Sequence, residues 1–265
     1  MVPAAPAKEA ALVYGVYINP DADWRKLVWA QLKDLRQFGV LSVSNLYVIV
    51  TNPAGIGDVS AYFDGLPIPI KYIAYTAENK FEYPAIFHVW NLASNRTGDY
   101  KYIGYLHTKG MSYARTGRDK SEKVLTHFTF SQWREIFRVF EGHPRINKIG
   151  LFPAEDSGKP RGFIWFNFWW ARSDYIRTLP EPAEEPNRYY YESWLGTASK
   201  PHDPRDCHSI LTNDTSIFSG VDAGNHFSDL SWQIRYGPFS RVRKLIQPLN
   251  DLRRKLSRAL RPHRL

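Results

Sequence analysis

The chain has 265 residues, of which 43% are hydrophobic and 15% aromatic, and its formal net charge is +9. This length and composition are those of a globular protein with a full hydrophobic core. The single cysteine, Cys207, excludes an internal disulfide framework and a cysteine-based zinc cluster, and no apolar run reaches the roughly 18 residues of a membrane span.

The first 106 residues alternate between strand and helix patterns. Short apolar runs predict buried strands at 12–18, 46–50, 71–75 and 102–106, and apolar residues at helical spacing predict helices at 24–38 and 82–95. Such an alternation is typical of a mostly parallel mixed sheet that is flanked by helices. We therefore predict an α/β, Rossmann-like fold.

The patterns that follow are less regular. They predict a polar loop at 113–123, one helix over 124–140, strands at 149–153 and 163–171, and a short helix over 172–179. The strand at 163–171 is the most aromatic segment of the chain. Residues 197–231 show no clear pattern and are left unassigned. Their histidines and acids, including His202, Asp203, Asp206, His208 and His226, match no standard metal spacing and indicate a polar loop.

The basic character of the chain lies in its last 27 residues. Residues 239–265 hold nine Lys or Arg and one acid, for a net charge of +8, whereas residues 1–238 have a net charge of +1. Apolar residues recur every three or four positions in this tail, which is typical of a helix with one apolar and one cationic face. Such a helix suits an anionic membrane surface; a partner helix or a nucleic-acid arm would share the pattern, but the nearly neutral body disfavours nucleic acid.

The boundaries and the location of the protein follow from these patterns. We predict a globular domain over 1–238 and a basic amphipathic helix over 239–265. Because the amino-terminal residues lack a secretory signal pattern, we expect a cytoplasmic protein that binds peripherally to the inner membrane face.

Polar side chains stand directly after the fourth predicted strand. His107, Thr108 and Lys109 follow the apolar run 102–106, and ligands bind at the carboxyl ends of strands in open α/β sheets. The order of five features resembles that of a glycosyltransferase of the GT-A fold over about residues 14–196. The features are Asn79 after the third strand, the segment 98–103, the strand that ends at His107, the aromatic segment 167–172, and Glu192. The HTK wording is similar to that of rhamnan-synthesis-type proteins of bacterial surface polysaccharide assembly.

This resemblance implies that a hexose or deoxyhexose moves from a nucleotide-sugar donor to a glycan or lipid-linked acceptor, with inversion. It implies donor and diphosphate contacts for Asn79, His107, Thr108 and Lys109. It implies acceptor contacts for Asn167, Trp169, Trp170, Arg172 and Trp194. Because Trp169 and Trp170 alternate across a strand, they cannot face the same side, and core packing is the alternative role for each of them.

The chain departs from the GT-A pattern at His107-Thr108-Lys109, where such enzymes usually carry a metal-binding Asp-x-Asp. A lysine cannot hold Mg²⁺ or Mn²⁺, so we expect no metal cofactor and a diphosphate that is neutralised by the charge of Lys109. The alternative is that Lys109 is an ordinary solvated turn residue.

Glu192 lies in an aromatic context, between Tyr191 and Ser193. A partly buried carboxylate can accept the proton of an acceptor hydroxyl, which makes Glu192 our candidate general base. The alternative is an acid at a helix N-terminus that pairs with the helix dipole or with Arg188. A non-catalytic carbohydrate-binding or scaffold protein with a degenerate GT-A fold is the rival to the enzyme.

Overall fold

The computed structural model of the chain describes residues 8–95, 99–108, 120–155, 162–197 and 206–236. The strands are β1 (Ala10–Tyr17), β2 (Ser44–Thr51), β3 (Ile70–Thr76), β4 (Tyr102–His107), β5 (Lys148–Gly150), β6 (Trp169–Arg172) and β7 (Cys207–Ser209). The helices are α1 (Trp24–Gln37), α2 (Val59–Asp64), α3 (Tyr83–Ser94), α4 (Lys120–Phe130), α5 (Trp133–Gly142), α6 (Ser173–Ile176), α7 (Tyr189–Ser193) and α8 (Gly220–Tyr236).

All seven strands form one sheet in the order β3-β2-β1-β4-β6-β5-β7. Strands β1 to β4 are parallel to one another, β6 is antiparallel to both β4 and β5, and β5 is parallel to β7. The predicted α/β fold with a mostly parallel sheet flanked by helices is confirmed. Because only β6 is reversed, its first residue lies at the edge of the sheet where β4 ends.

The two faces of the sheet are covered by different helices. Trp169 belongs to a buried cluster with residues of α3, α6 and α7. The indole of Trp170 lies on the other face against Phe130 of α4 and Phe137 of α5, with ring centroids 5.6 and 5.2 Å away. Gly104 makes this packing possible, because a Cβ there would come within 2.9 Å of the Trp170 ring. The prediction that the two tryptophans face opposite sides is confirmed.

Three predicted elements were wrong in their extent. The polar loop predicted over 113–123 is too long, because α4 already begins at Lys120. The single helix over 124–140 is two helices, α4 and α5, which are separated at Ser131 and Gln132. The aromatic strand over 163–171 is a 3-10 turn at Trp165–Asn167 followed by the short strand β6. In that turn Phe166 has a φ of +70°, a left-handed conformation that a strand does not contain.

The chain divides into two compact units, Met1–Ala223 and Gly224–Leu265. The described part of the second unit, 224–236, belongs to α8. The predicted basic helix over 239–265 lies outside the described residues, so the boundary at 238 stays a prediction. Within the part of the chain that the structure describes, no helix combines the length and the apolar character that a membrane crossing requires.

Candidate functional site

His107 is the last residue of β4, and its imidazole lies between two other segments of the chain. Its Nδ1 is 3.8 Å from Oε1 of Glu82, just before α3, and its Nε2 is 3.3 Å from the backbone oxygen of Phe166. The side chains of His107 and Glu82 are 12% and 18% exposed. The carboxyl end of β4 therefore joins the start of α3 and the turn before β6 in a half-buried polar cluster.

The carboxylate of Glu82 is the centre of this cluster. Its Oε2 accepts hydrogen bonds from the hydroxyl of Tyr105 at 2.9 Å and from Nδ2 of Asn167 at 2.6 Å. Although Glu82 stands at the N-terminus of α3, its side chain does not cap that helix. Sequence reasoning missed this residue because an acid at a helix start is common. The available signal was its position after β3, at the ligand-binding edge of the sheet.

Asn167 is completely buried and connects the cluster to α7. Its Oδ1 accepts a hydrogen bond from Nε1 of Trp169 at 2.6 Å, and its Nδ2 also reaches the backbone oxygen of Tyr191 at 3.4 Å. Its φ of +59° follows the left-handed Phe166. This sharp turn directs the amide of Asn167 at Glu82, so one predicted acceptor residue does belong to the cluster.

Glu192 of α7 acts on the same cluster through its charge. It follows Tyr191, whose backbone oxygen Asn167 contacts, and its side chain is half-buried. Complete burial raises the pKa of Tyr105 well above its ordinary value, and the negative charges of Glu82 and then Glu192 raise it further. The phenol therefore stays protonated and remains a hydrogen-bond donor, because the charges of both Glu82 and Glu192 oppose its ionisation.

The backbone at this edge of the sheet is strained. Among the described residues, six other than glycine have a positive φ, and three of these lie at the cluster. Phe81 directly precedes Glu82, Asn167 donates to Glu82, and the backbone oxygen of Phe166 contacts His107. Phenylalanine is disfavoured in this conformation because its Cβ crowds the backbone. Strained backbone of this kind concentrates at functional sites, where the surrounding packing maintains it.

Close backbone packing fixes the end of β4. The amide of Thr108 donates to the backbone oxygen of Gly15 at 3.0 Å, and its Oγ1 accepts from the amide of Tyr17 at 2.9 Å. A Cβ on Gly15 would lie 3.2 Å from both the Tyr105 hydroxyl and the Cβ of Ala85, so a larger residue there would force these neighbours to shift by a few tenths of an ångström. The buried Thr108 side chain therefore fastens β4 to β1, whatever contact with a donor it makes in addition.

A buried polar network holds the backbone of His107 from the other side. Nε2 of Gln31, a fully buried residue of α1, donates to the His107 oxygen at 3.2 Å and to Oγ1 of Thr126 at 3.1 Å. Oε1 of Gln31 accepts from the hydroxyl of Tyr14 at 2.6 Å, and Thr126 donates to the buried carboxylate of Glu122 at 3.1 Å. Helices α1 and α4 therefore both support the strand end.

Three tryptophans that the sequence proposed as acceptor contacts are core residues. Trp169, Trp170 and Trp194 are each 0% exposed. Nε1 of Trp194 donates to the backbone oxygen of Pro180 at 3.1 Å. Complete burial leaves no ring face for a sugar, so the proposed stacking on one of these rings is replaced by core packing.

Arg172 lies beside the first residue of β4, at the opposite end of that strand from His107. Because β6 is antiparallel to β4, Arg172 is paired with Tyr102, five residues and about 17 Å along the strand from His107. Its guanidinium donates to the backbone oxygens of Phe140, His143 and Ile146. The structure does not bring Arg172 to the cluster, because its side chain binds the backbone at and after the end of α5; its predicted acceptor contact stays a prediction.

Of the remaining predicted donor residues, Asn79 lies outside the cluster. Asn79 is exposed in the loop before α3, and its Oδ1 accepts from the amide of Phe81 at 3.2 Å. Lys109 lies outside the described residues, so its role stays a prediction. Within the described ranges, no group of three or more His, Cys, Asp or Glu side chains has an arrangement that could hold a metal ion.

No family model matches the chain, and no curated protein matches it either. One similar solved structure is the crystal structure, at 1.90 Å resolution, of a candidate nucleotide-diphospho-sugar transferase from Desulfovibrio desulfuricans G20. The two chains are 12% identical, the match covers 71% of this chain and 72% of that one, and the TM-score is 0.38. A likeness of this size leaves the function to be inferred from the site itself.

Proposed function

We propose that the protein is a glycosyltransferase that takes a sugar from a nucleotide-sugar donor, with its active site at the carboxyl end of β4. One observation carries the proposal. His107, the carboxylate of Glu82 and the charge of Glu192 converge there, at the edge of an α/β sheet where ligands bind.

Glu192 is the general base in this proposal. The oxygen of an acceptor hydroxyl attacks the anomeric carbon of the donor sugar, and the bond from that carbon to the diphosphate breaks. The nucleoside diphosphate leaves with the bonding electrons, and the hydroxyl proton passes to the Glu192 carboxylate. A single displacement of this kind inverts the anomeric centre. The half-buried position of Glu192 supports the role, because the carboxylate is accessible without being fully solvated.

His107 contributes positive charge beside the diphosphate, and Glu82 orients the ring. Oε1 of Glu82 faces Nδ1 of the imidazole at 3.8 Å, which suits pairing with the protonated ring. A cationic side chain at this point stabilises the negative charge that develops on the leaving group. We propose that Lys109, two residues further along the chain, adds a second positive charge and makes the transfer independent of a metal.

A nucleotide panel tests the proposal. We expect one of UDP, GDP, TDP or CMP to raise the melting temperature of the protein, and the increase to persist in EDTA. Ligand at 100 times its Kd stabilises the folded state by about 2.7 kcal/mol, which is a shift of several degrees. A protein that only binds carbohydrate would respond to none of these nucleotides. An increase that EDTA abolishes and Mn²⁺ restores would contradict the metal-independent reaction.

We propose further that the acceptor is a glycan or lipid-linked glycan of surface polysaccharide synthesis, of the rhamnan type, and that the basic residues of 239–265 hold the enzyme at the cytoplasmic face of the membrane. The net charge of +8 in these residues supports this location.

Deletion of 239–265 tests the membrane proposal. Because anionic lipid attracts the Lys and Arg residues, we expect the full chain to sediment with phosphatidylglycerol vesicles and the shortened chain to stay in the supernatant. Each basic residue near the surface contributes about 1 kcal/mol, so the loss of binding is expected to exceed 100-fold. Vesicles of phosphatidylcholine are the control. Equal sedimentation of the two chains with anionic vesicles would contradict the proposal.

A further inference from the structure

The candidate site is flanked by two exposed aromatic rings that no contact within the core explains. Phe81 is 41% exposed and directly precedes Glu82. Tyr189 is 61% exposed and stands one helical turn before Glu192 in α7. Exposed aromatic residues beside polar groups are typical of binding surfaces. These two rings, in contrast to the buried tryptophans, are accessible to a ligand, and the guanidinium of Arg188 lies over the Tyr189 ring at 5.9 Å from its centroid.

The segments that carry the two rings are fastened to each other. Nζ of Lys80 lies 2.9 Å from Oε2 of Glu184. The rings of Tyr83 and Tyr191 have centroids 6.4 Å apart. The salt bridge and the ring contact therefore join the segment that carries Phe81 to the segment that carries Tyr189.

The position of Phe81 is unfavourable by two criteria. A large apolar ring is exposed to water, and its backbone has a φ of +54°, which a phenylalanine rarely adopts. The turn is held by hydrogen bonds from the Phe81 amide to Oδ1 of Asn79, at 3.2 Å, and from the Tyr83 amide to the oxygen of Lys80, at 3.1 Å. Glycine would form this turn without strain, so the ring itself is the feature that folding does not explain.

We infer that Phe81 and Tyr189 bind the ring of an acceptor sugar. A pyranose has an apolar face of C–H groups, which packs on aromatic rings, and hydroxyl groups, which donate to carboxylates. The rim of this site offers both, because the two aromatic rings adjoin Glu82 and Glu192 in the sequence. The assignment of this sugar to the acceptor rests on the proposed transferase function, whereas the sugar binding itself does not.

Replacing Phe81 with Gly is the sharpest test. Glycine adopts the observed φ without strain, so the variant removes the ring and keeps the turn. The probes are methyl hexopyranosides and methyl 6-deoxyhexopyranosides, and their binding is measured by saturation-transfer NMR. We expect the C–H protons of one pyranose face to receive saturation from the wild type, and the apparent affinity to fall about fivefold in Phe81→Gly and in Tyr189→Ser. Tyr72→Ala is the matched control, since Tyr72 is 47% exposed on β3, and its affinity is expected to equal that of the wild type.

The outcomes separate this inference from the proposed function. Glycoside binding that is unchanged in both Phe81→Gly and Tyr189→Ser overturns the inference, as does a wild type that binds none of the glycosides. Neither result changes the nucleotide panel, so the transferase proposal would survive. If the glycosides bind through Phe81 but no nucleotide shifts the melting temperature, the sugar site stands and the transferase proposal fails.

Discussion

Glu192→Gln is expected to lower the rate of sugar transfer by about 10²–10⁴-fold, because the amide cannot accept the proton of the acceptor hydroxyl. Glutamine has nearly the shape of glutamate, so the fold and the affinity for nucleotide are expected to stay unchanged. The rate is measured as nucleoside diphosphate released from the nucleotide sugar in the presence of membrane-extracted glycolipid acceptors. Loss of rate without loss of nucleotide binding identifies a chemical role.

Glu181→Gln is the matched control for this variant. Glu181 is an exposed acid of the proline-rich loop before α7, so the same change there is expected to leave the rate within about twofold of the wild type. Transfer at the wild-type rate in Glu192→Gln would remove Glu192 from the mechanism. The remaining cluster of Glu82, His107 and Asn167 would then have to contain the base.

Lys148→Met is expected to lower the free energy of unfolding by about 3–5 kcal/mol, the range for breaking a buried ion pair. Lys148 is 0% exposed at the start of β5, and its Nζ is 3.0 Å from both Oδ1 of Asp206 and the hydroxyl of Tyr175. Methionine fills the space but removes the ammonium group that pairs with the 12% exposed carboxylate of Asp206. Urea unfolding of the two proteins measures the difference.

The charge of this pair fixes the pH range of the effect. Burial by itself lowers the pKa of Lys148, but the combined influence of Cys207, Tyr175 and Asp206 outweighs it and leaves the pKa raised. Burial also raises the pKa of Cys207 and of Tyr175 to about 12, so at neutral pH both are protonated and Asp206 supplies the negative charge. A lysine whose pKa is raised by folding contributes its full stabilisation below the unfolded pKa of about 10.4. That contribution is lost only as the pH rises through the folded pKa.

The loss in Lys148→Met is therefore expected to be the same at pH 6 and pH 9. The double variant Lys148→Met with Asp206→Leu removes the buried carboxylate as well and is expected to recover part of the stability. A loss below about 1 kcal/mol in the single variant, or no recovery in the double variant, would contradict a buried ion pair at this position.

The first half of the fold could be predicted because its strands and helices have clear periods. The short apolar runs at β1, β2, β3 and β4 indicate buried strands, and the apolar residues of α1 and α3 keep helical spacing without interruption. The break between α4 and α5 was hidden because apolar residues continue at helical spacing across Ser131 and Gln132. The turn at Trp165–Asn167 was hidden because a phenylalanine does not signal a positive φ.

The site was predicted only in part, for reasons of long-range geometry. His107, Asn167 and Glu192 stand where polar residues follow apolar ones, which local sequence can reveal. Arg172 was misplaced because strand direction is set by the whole sheet, and a run of aromatic residues gives no indication that β6 is antiparallel. Glu82 was missed because its partners Tyr105 and Asn167 are 23 and 85 residues away in the chain.

The central claim is that the carboxyl end of β4 binds the diphosphate of a nucleotide sugar. Calorimetric titration of the nucleoside diphosphate identified by the panel, in EDTA, tests this claim most directly in the wild type, His107→Ala and Tyr72→Ala. We predict the same Kd for the wild type and Tyr72→Ala, and a Kd about tenfold or more higher for His107→Ala, which loses the positive charge of the imidazole beside the diphosphate. An equal Kd in all three proteins, or no binding to the wild type, would contradict the claim.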